Sequence, residues 1–430
     1  MGLGTAVFVH GRLGDRDQEI QTLRVLAGDG GARVEARRGD SEWWAIVPIG
    51  QIAEPRSLRF RLEAKLRSGE TTTTDLGVVG LEPELPLAAE PVPDRWPGEA
   101  ENRVAICMGT HEPPPELFRQ QIESMRAQTH GEWMCVISDD ASRPESLEVM
   151  REIIAGDERF VLRPSERRLG FYSNFERALR LAPPSATHIA LSDHDDRWRP
   201  DRLDTLLSAL GDRHTLAYSD MRIVSSDGEV IADTYWRYRR NNWTDLATLL
   251  IGNTITGAAS LFRRSLLDRA LPFPPSVGNA FHDHWLALVA LASGSVAYVD
   301  RALYDYVQHR DTVIGFSSAN ADRADGVRGV AAHALRLADR VIRPEGRRRY
   351  FEDYCRIALL ASALELRCGD LMTAEKRDAA REIRSLDDSA GAAARLVLHS
   401  LASGNETMGV DRSVLAGLVW SRLARRRANR

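Results

Sequence analysis

Cysteine is scarce in this chain, with four residues in 430 (Cys107, Cys135, Cys355 and Cys368). None forms a CxxC pair or a zinc-ligand spacing, which argues against a disulfide scaffold and a zinc finger. Cys107 and Cys135 lie inside apolar, strand-like runs, so buried free thiols in a reducing compartment are expected. Also missing is any run of the ~20 apolar residues that a bilayer-spanning helix needs. The segment Met1 to His10 lacks the charged start and longer apolar core of a secretory signal, so a cytoplasmic protein is the expectation. Neither sign of charge dominates. With 57 Lys and Arg against 61 Asp and Glu, the formal net charge is −4, which gives no support for chain-wide nucleic-acid binding. What is present is the mixture of a soluble globular protein, 43% hydrophobic and 27% charged, in a chain long enough for two or three domains.

The pattern along the chain divides it into regions. Residues 1–85 read as β-rich: 43–49 and 57–66 alternate with period two, and Thr71 to Thr74 adds a β-favouring run. A small sandwich with no visible chemistry is expected there. Residues 86–102 are proline-rich and read as a linker. From 103 to 316 short apolar strands (103–109, 133–138, 159–163, 188–192) alternate with helical segments (114–127, 143–155, 171–182). That alternation predicts an α/β domain with a mostly parallel, doubly wound sheet. Residues 317–430 are helical by composition, with apolar spacing near 3.6 over 328–342 and 350–366. The segment from Val414 to Arg430 joins apolar residues to a basic end. It fits peripheral contact with an anionic membrane surface about as well as a packed last helix with a solvated tail.

Ligands of such sheets sit beyond the carboxyl ends of the strands. Three polar clusters fall at those ends: Thr110-His111-Glu112, Ser138-Asp139-Asp140, and Asp193-His194-Asp195-Asp196. Three carboxylates this close repel one another unless a cation or a buried network holds them. Hard oxygen donors suit Mg²⁺ or Mn²⁺, which retain waters and bridge substrate phosphates. Plainer readings exist for each cluster. Asp139 and Asp140 fit a turn and a helix cap, and the 193–196 group fits the acidic flank of a helix. Asp283, in His282-Asp283-His284-Trp285, opens a predicted helix over 283–293 and could be only its cap. The run Tyr235 to Arg240 could stack on sugars or be structural.

Taken in order, these segments resemble the GT-A nucleotide-sugar glycosyltransferases of family 2, most closely the bacterial rhamnosyltransferase-like branch. The carrying residues are Asp139-Asp140-Ala141-Ser142, Gly170-Phe171-Tyr172-Ser173-Asn174-Phe175, Leu191 to Trp198, Thr256-Gly257-Ala258-Ala259-Ser260, His282-Asp283-His284-Trp285 and Tyr306-Val307-Gln308-His309. The resemblance covers about residues 103–316. It implies a GT-A catalytic domain between the N-terminal sandwich-like region and the C-terminal helical region. It also implies roles. Thr110, His111, Glu112, Asp139, Asp140, Gly170, Asn174 and Asp193 would surround the donor nucleotide. Asp195, Asp196 and His309 would hold the divalent metal, and Asp283 would be the general base. Thr256, Gly257, His282, His284 and Trp285 would shape the sugar or acceptor pocket. This chain departs from the family's pattern at His111, where Tyr is commoner, and at Ala141, where Gly is usual.

The function implied is metal-dependent, inverting transfer of a sugar, with rhamnose one candidate. The donor would be a dTDP- or UDP-sugar and the acceptor a glycan or lipid-linked molecule of surface-polysaccharide or cell-wall assembly. The expected seat is the cytoplasm or the inner face of the membrane, with no nucleic-acid partner. Two other classes compete. A metal-dependent nucleotidyl or phosphoryl transferase would want a basic phosphate clamp beside the aspartates. A non-catalytic carbohydrate-binding protein would tolerate loss of Asp283.

Overall fold

A computed structural model describes residues 4–14, 19–28, 32–39, 41–50, 57–80, 90–99, 101–238, 240–308, 344–402 and 406–428. The α/β domain is built on one nine-stranded sheet. Its strands are β8 (Val104–Thr110), β9 (Trp133–Asp139), β10 (Phe160–Pro164), β11 (His188–Ser192), β12 (Arg197–Trp198), β13 (Leu216–Ser225), β14 (Val230–Ala232), β15 (Ser260–Arg263) and β16 (Val296–Gln308). The order is β10-β9-β8-β11-β15-β13-β16-β12, with β14 on β13. Neighbours β10/β9, β9/β8, β8/β11 and β13/β16 are parallel, whereas β15 runs antiparallel between β11 and β13. The predicted mostly parallel α/β sheet is therefore what forms.

The run Val104 to Met108 is fully buried, as a central parallel strand covered on both faces requires. Helices α1 (Pro115–Arg126), α2 (Pro144–Ile154) and α3 (Phe171–Leu181) fall between the first four strands. Proline begins α1 and α2, a position where its missing N–H costs nothing. Strand order reverses between β8 and β11. That switch point opens a crevice beyond Thr110 and Ser192.

Helix α7 (His282–Ser293) is buried from His284 to Ala292. It is apolar on all sides, so it must sit inside the protein. Burying one such Leu contributes roughly 1.5–3 kcal/mol. Its first turn brings Asp283 to the crevice.

Ahead of this domain, seven strands form two antiparallel sheets, β1-β5-β4 and β3-β2-β6-β7. Strands β1 (Thr5–Arg12), β5 (Glu42–Ile49) and β4 (Arg37–Gly39) face β3 (Arg33–Glu35), β2 (Ile20–Ala27), β6 (Ser57–Leu66) and β7 (Thr71–Gly80). Leu23, Val25, Trp43, Val47 and Phe60 fill the core between them, giving the expected sandwich-like unit. Strand β7 is an edge with all ten residues exposed.

The proline-rich stretch does more than connect. Val92 is buried with Met134, Val136 and Leu181, its N–H donates to Leu181 O at 2.8 Å, and Trp96 Nε1 donates to Ser185 Oγ at 2.8 Å.

The C-terminal helices Pro344–Arg349, Cys355–Cys368, Ala374–Ser385, Ala390–Ala402 and Val410–Ala428 pack against the sandwich. Trp44 Nε1 donates to Tyr350 Oη (2.9 Å), and Tyr350 Oη donates to Asp387 (2.7 Å). Arg347 pairs with Glu42 at 2.6 Å. In the last helix Val414, Leu418 and Trp420 are buried, while Arg422 and Arg425 donate to Leu386 O and Asp387. The predicted segment 328–342 lies outside the described residues. Among the described residues no helix is long and apolar enough to cross a membrane. All four cysteines are buried and unbridged, and burial pushes the Cys107 thiol up to about 12.

Candidate active site

The first wall of the crevice is a hydrogen-bonded frame at the ends of β8 and β9. Asp139 is fully buried. Its carboxylate accepts from Thr110 Oγ1 (3.0 Å), Ser142 N (2.9 Å) and Ser142 Oγ (2.6 Å). With both oxygens engaged inside the protein, Asp139 fixes the turn rather than touching a nucleotide, and Thr110 belongs to the same frame.

Asn174 is likewise spent internally. Its Nδ2 donates to Ser138 O (2.8 Å) and its Oδ1 accepts from Ser138 Oγ (2.7 Å). It staples α3 to β9, so this expected donor-binding residue is placed in the frame behind the crevice. Glu112 accepts from Arg143 N, Nε and Nη2 (2.6, 3.1 and 3.0 Å) and Ser146 Oγ (2.7 Å). Those arginine and hydroxyl contacts hold its carboxyl down at about 2. It caps the start of α2 and leaves little acceptor capacity for a ribose.

Half-buried His111 and the segment 168–170 remain at this end, held in place by Asp140, which is itself buried. Asp140 accepts from the N–H groups of Leu169 and Gly170, the latter at 2.9 Å. Arg168 lies 3.8 Å from the same carboxylate. His111 Nδ1 donates to Asp140 O at 2.9 Å, and Arg168 donates to Nε2. That pattern puts a proton on Nδ1 and leaves Nε2 as the acceptor. Gly170 has φ +79°, a conformation glycine adopts without steric cost. Glu112 (φ 45°) and Ala141 (φ 57°) adopt left-handed backbone without being glycine, at a cost of about 1–2 kcal/mol each. Such strain gathers at functional loops.

The second wall is the 192–198 turn. Gln121 on α1, fully buried, holds it. With its amide oriented to satisfy both ends, Oε1 accepts from Ser192 Oγ (2.7 Å) and Trp198 Nε1 (3.1 Å), and Nε2 donates to Asp196 O (2.8 Å). Nothing local in the sequence marked Gln121. Only the packing of α1 against β12 brings it there.

Asp193 and Asp195 are half-buried, and Asp196 is 1% exposed. Burial, then the charges of Asp195 and Asp283, raise Asp193 to about 7. Burial, then Asp195 and Asp193, raise Asp196 well above the carboxylate range, against the pull of Arg202. Both Asp196 side-chain oxygens are buried without a hydrogen-bond partner. Arg202 sits beneath with its guanidinium 3.7 Å from the Trp198 ring, donating to Ala258 O at 2.6 Å.

The third wall is the start of α7. Asp283 accepts from Gly257 N (3.1 Å) and His284 N (2.6 Å). Burial raises it to about 6, opposed by hydrogen bonds from those N–H groups and from Asn253. A Cβ on Gly257 would lie 3.0 Å from both Asp283 Cβ and His282 Nε2, so the close approach of this loop needs glycine. Thr256 is half-buried at the rim.

Three expected acceptor residues do not reach the crevice. His282 stacks on Phe175 with centroids 3.7 Å apart, and burial lowers it to about 3. His284 Nε2 donates to Leu249 O at 2.7 Å, and its Nδ1 accepts from Arg356 at 3.4 Å. Trp285 is fully buried and donates to Ala270 O at 2.9 Å. All three lock α7 in place, because the apolar helix turns their rings toward the core. His309 lies outside the described residues.

Among the described residues no group of three His, Cys, Asp or Glu side chains converges as a metal cage. The donor chemistry still fits a cation shared with substrate. Mg²⁺ and Mn²⁺ sites commonly use one or two carboxylates with phosphate oxygens and water, and Asp196 keeps acceptor capacity on its two buried oxygens.

The open α/β sheet thus carries carboxylates at its switch point, faced by the raised carboxylate of Asp283 on α7. Residues 106–271 match the model described as "Glycosyl transferase family 2". Among curated relatives, the uncharacterized protein y4gI of Sinorhizobium fredii is 31% identical over 133 residues, 30% of this chain and 14% of that protein. An uncharacterized glycosyltransferase of Methanocaldococcus jannaschii is 20% identical over 191 residues, 44% of this chain and 64% of that one. The chain thus spans less than two thirds of the length of these relatives. Among solved structures, S. aureus TarS 1-349 in complex with UDP-GlcNAc is 14% identical, with TM-score 0.42, covering 72% of this chain and 91% of that one. The mannosyltransferase PcManGT from Pyrobaculum calidifontis, in complex with GDP-Man and Mn²⁺, is 14% identical with TM-score 0.39, covering 78% and 90%.

Proposed function

We propose that this chain transfers a sugar, with inversion, from a nucleoside-diphosphate donor to a hydroxyl of a glycan or lipid-linked acceptor in surface-polysaccharide or cell-wall assembly. The observation that carries the reading is Asp283. It is a half-buried carboxylate raised to about 6, close enough to Asp193 for the two charges to repel. A base tuned toward neutrality beside the 193–196 carboxylates suits removal of a proton from an attacking hydroxyl.

His111 and Gly170, positioned by buried Asp140, lie at the end where the base and ribose of a dTDP- or UDP-sugar would bind. Asp193 and Asp195, with Asp196 behind them, would hold a divalent cation (Mn²⁺ or Mg²⁺), which supplies charge neutralisation for the departing diphosphate. Asp283 takes the proton from the acceptor hydroxyl while its oxygen forms the bond to the anomeric carbon and the nucleotide leaves from the opposite face. The negative charge of Asp283 favours the oxocarbenium-like centre as that exchange proceeds. The N–H groups of Gly257 and His284 keep the carboxylate aimed. Rhamnose, the sugar of the branch this sequence resembles, heads the donor candidates. In this reading the protein works in the cytoplasm. Exposed Val419, Leu423 and Arg426 on the last helix offer contact with the inner membrane face, where lipid-linked acceptors reside.

The test is a donor panel. Titration of dTDP- and UDP-sugars into the full chain with Mn²⁺ should give saturable binding of at least one, followed by nucleotide release that depends on an acceptor. A nucleotidyl or phosphoryl transferase would instead release a product that retains the sugar on phosphate. Absence of binding across the panel overturns the proposal.

A further inference from the structure

Phe171 is 43% exposed, although phenylalanine is among the residues most often buried. It opens α3 directly after Gly170, whose N–H donates to Asp140. Its ring meets Phe281, with centroids 5.6 Å apart, and stands edge-on to His282 at 6.5 Å. Phe281 is half-buried and lies two residues before Asp283. The two phenylalanines, distant in sequence, therefore join the segment at the nucleoside end to the turn that carries the candidate base.

The pair opens on the side of the sheet that Asp283 occupies. Helices α3 and α7 pack together through Phe175 and His282, stacked at 3.7 Å, so the starts of both helices share one layer. Tyr172 ties the same segments, its hydroxyl donating to Pro274 O at 3.0 Å and its ring lying 5.1 Å from Phe273. The loop that leads to Phe281 is also pinned at Gly278 (φ +56°), where a Cβ would sit 2.8 Å from Glu352 Cα. Ser276 and Asn279, both exposed on that loop, add a hydroxyl and an amide. A fixed aromatic surface with uncharged hydrogen-bonding groups at its rim suits a saccharide. The C–H face of a pyranose is slightly positive and settles on the negative face of an aromatic ring.

We propose that Phe171, backed by Phe281, is the platform on which the sugar ring of the acceptor lies, which makes the acceptor at this site a saccharide. The acceptor role rests on the transfer reading above, whereas the binding of a saccharide does not. A hydroxyl within hydrogen-bond reach of Asp283 belongs to a ring that must extend over neighbouring residues. Phe171 and Phe281 supply the aromatic surface there.

Saturation-transfer NMR on the full chain tests the proposal. The probes are the methyl glycosides of glucose, galactose, mannose and rhamnose, with citronellol as an apolar chain. Irradiating the aromatic protons of the protein should saturate at least one glycoside, most strongly at the C–H groups of one ring face. Phe171→Ala should weaken that glycoside about fivefold, the usual contribution of one aromatic stack, and Phe171→Tyr should keep it. Thermal melts of Phe171→Ala should stay close to the parent's, since the side chain is exposed. Affinity for whichever nucleotide sugar the donor panel finds should be unchanged in both variants. The proposal is overturned if no glycoside is saturated, if Phe171→Ala binds it as the parent does, if citronellol is saturated and no glycoside is, or if Phe171→Ala weakens the donor instead. Failure of the transfer reading looks different: no nucleotide sugar binds, while Phe171→Ala still weakens the glycoside.

Discussion

Replacing Asp283 by Asn separates chemistry from architecture. The carboxylate accepts from two backbone N–H groups, Gly257 at 3.1 Å and His284 at 2.6 Å. Asn keeps one oxygen, so it can still accept from His284, but its amide nitrogen then meets the N–H of Gly257. One buried donor loses its partner, which costs about 1–3 kcal/mol of stability. The fold should survive that loss. Catalysis should not, because an amide cannot take a proton. General-base removal typically costs 10²–10⁴ in rate, or roughly 3–5 kcal/mol of barrier at about 1.4 kcal/mol per decade.

The assay is acceptor-dependent nucleotide release, measured beside calorimetric donor affinity. Donor affinity should change by less than about threefold, since Asp283 faces the acceptor side in this mechanism, while kcat falls by at least about a hundredfold. In the parent protein, kcat/KM should rise with pH through an ionisation near the Asp283 value of about 6, since only the ionised form accepts a proton. The variant should lack that limb. Turnover within threefold of the parent, or an unchanged acid limb, would falsify the assignment of Asp283 as base.

Two further outcomes follow from the same site. Gly257→Ala places a methyl 3.0 Å from Asp283 Cβ and His282 Nε2. It should cost about 1–3 kcal/mol in stability and lower kcat more than tenfold with little change in donor KM; an equally active, equally stable variant would show that the close approach is dispensable. Asp193 is raised in the folded protein to about 7, against an ordinary value near ~3.9. Its contribution to stability is complete below pH ~4 and is lost as pH rises through about 7. Asp193→Asn should therefore gain on the parent by on the order of 1 kcal/mol between pH 5 and pH 8, read by thermal melts. Mn²⁺ at pH 8 should raise the parent's Tm and leave the variant's unchanged, by mass action. Parallel pH profiles would refute the shared field of Asp193, Asp195 and Asp283.

Much of the sheet was legible because its signal is local. A short apolar run bounded by turns reads as a strand wherever it lies, and β11 occupies the predicted residues 188–192 without change. Helix α7 begins at His282, one residue before its predicted start. The clusters at the strand ends could also be named in advance, since parallel connectivity puts every carboxyl end on one edge.

Side-chain direction was not legible. His282, Asp283, His284 and Trp285 are consecutive, yet only Asp283 meets the crevice, because an apolar helix buried on all sides leaves one outlet at its first turn. Asp139 and Asp140 are adjacent and chemically identical, but one is consumed by Thr110 and Ser142 while the other holds the 168–170 segment. Gln121 has no motif at all. It became part of the site when α1 packed over the 192–198 turn. The sequence alone determined the alternation of elements and the stock of carboxylates at one edge, since both depend on spacing along the chain. The tertiary structure decided which carboxylates are spent on the frame and which repel one another across the crevice. Those outcomes depend on distance and burial between residues far apart in the chain, quantities that no local pattern encodes.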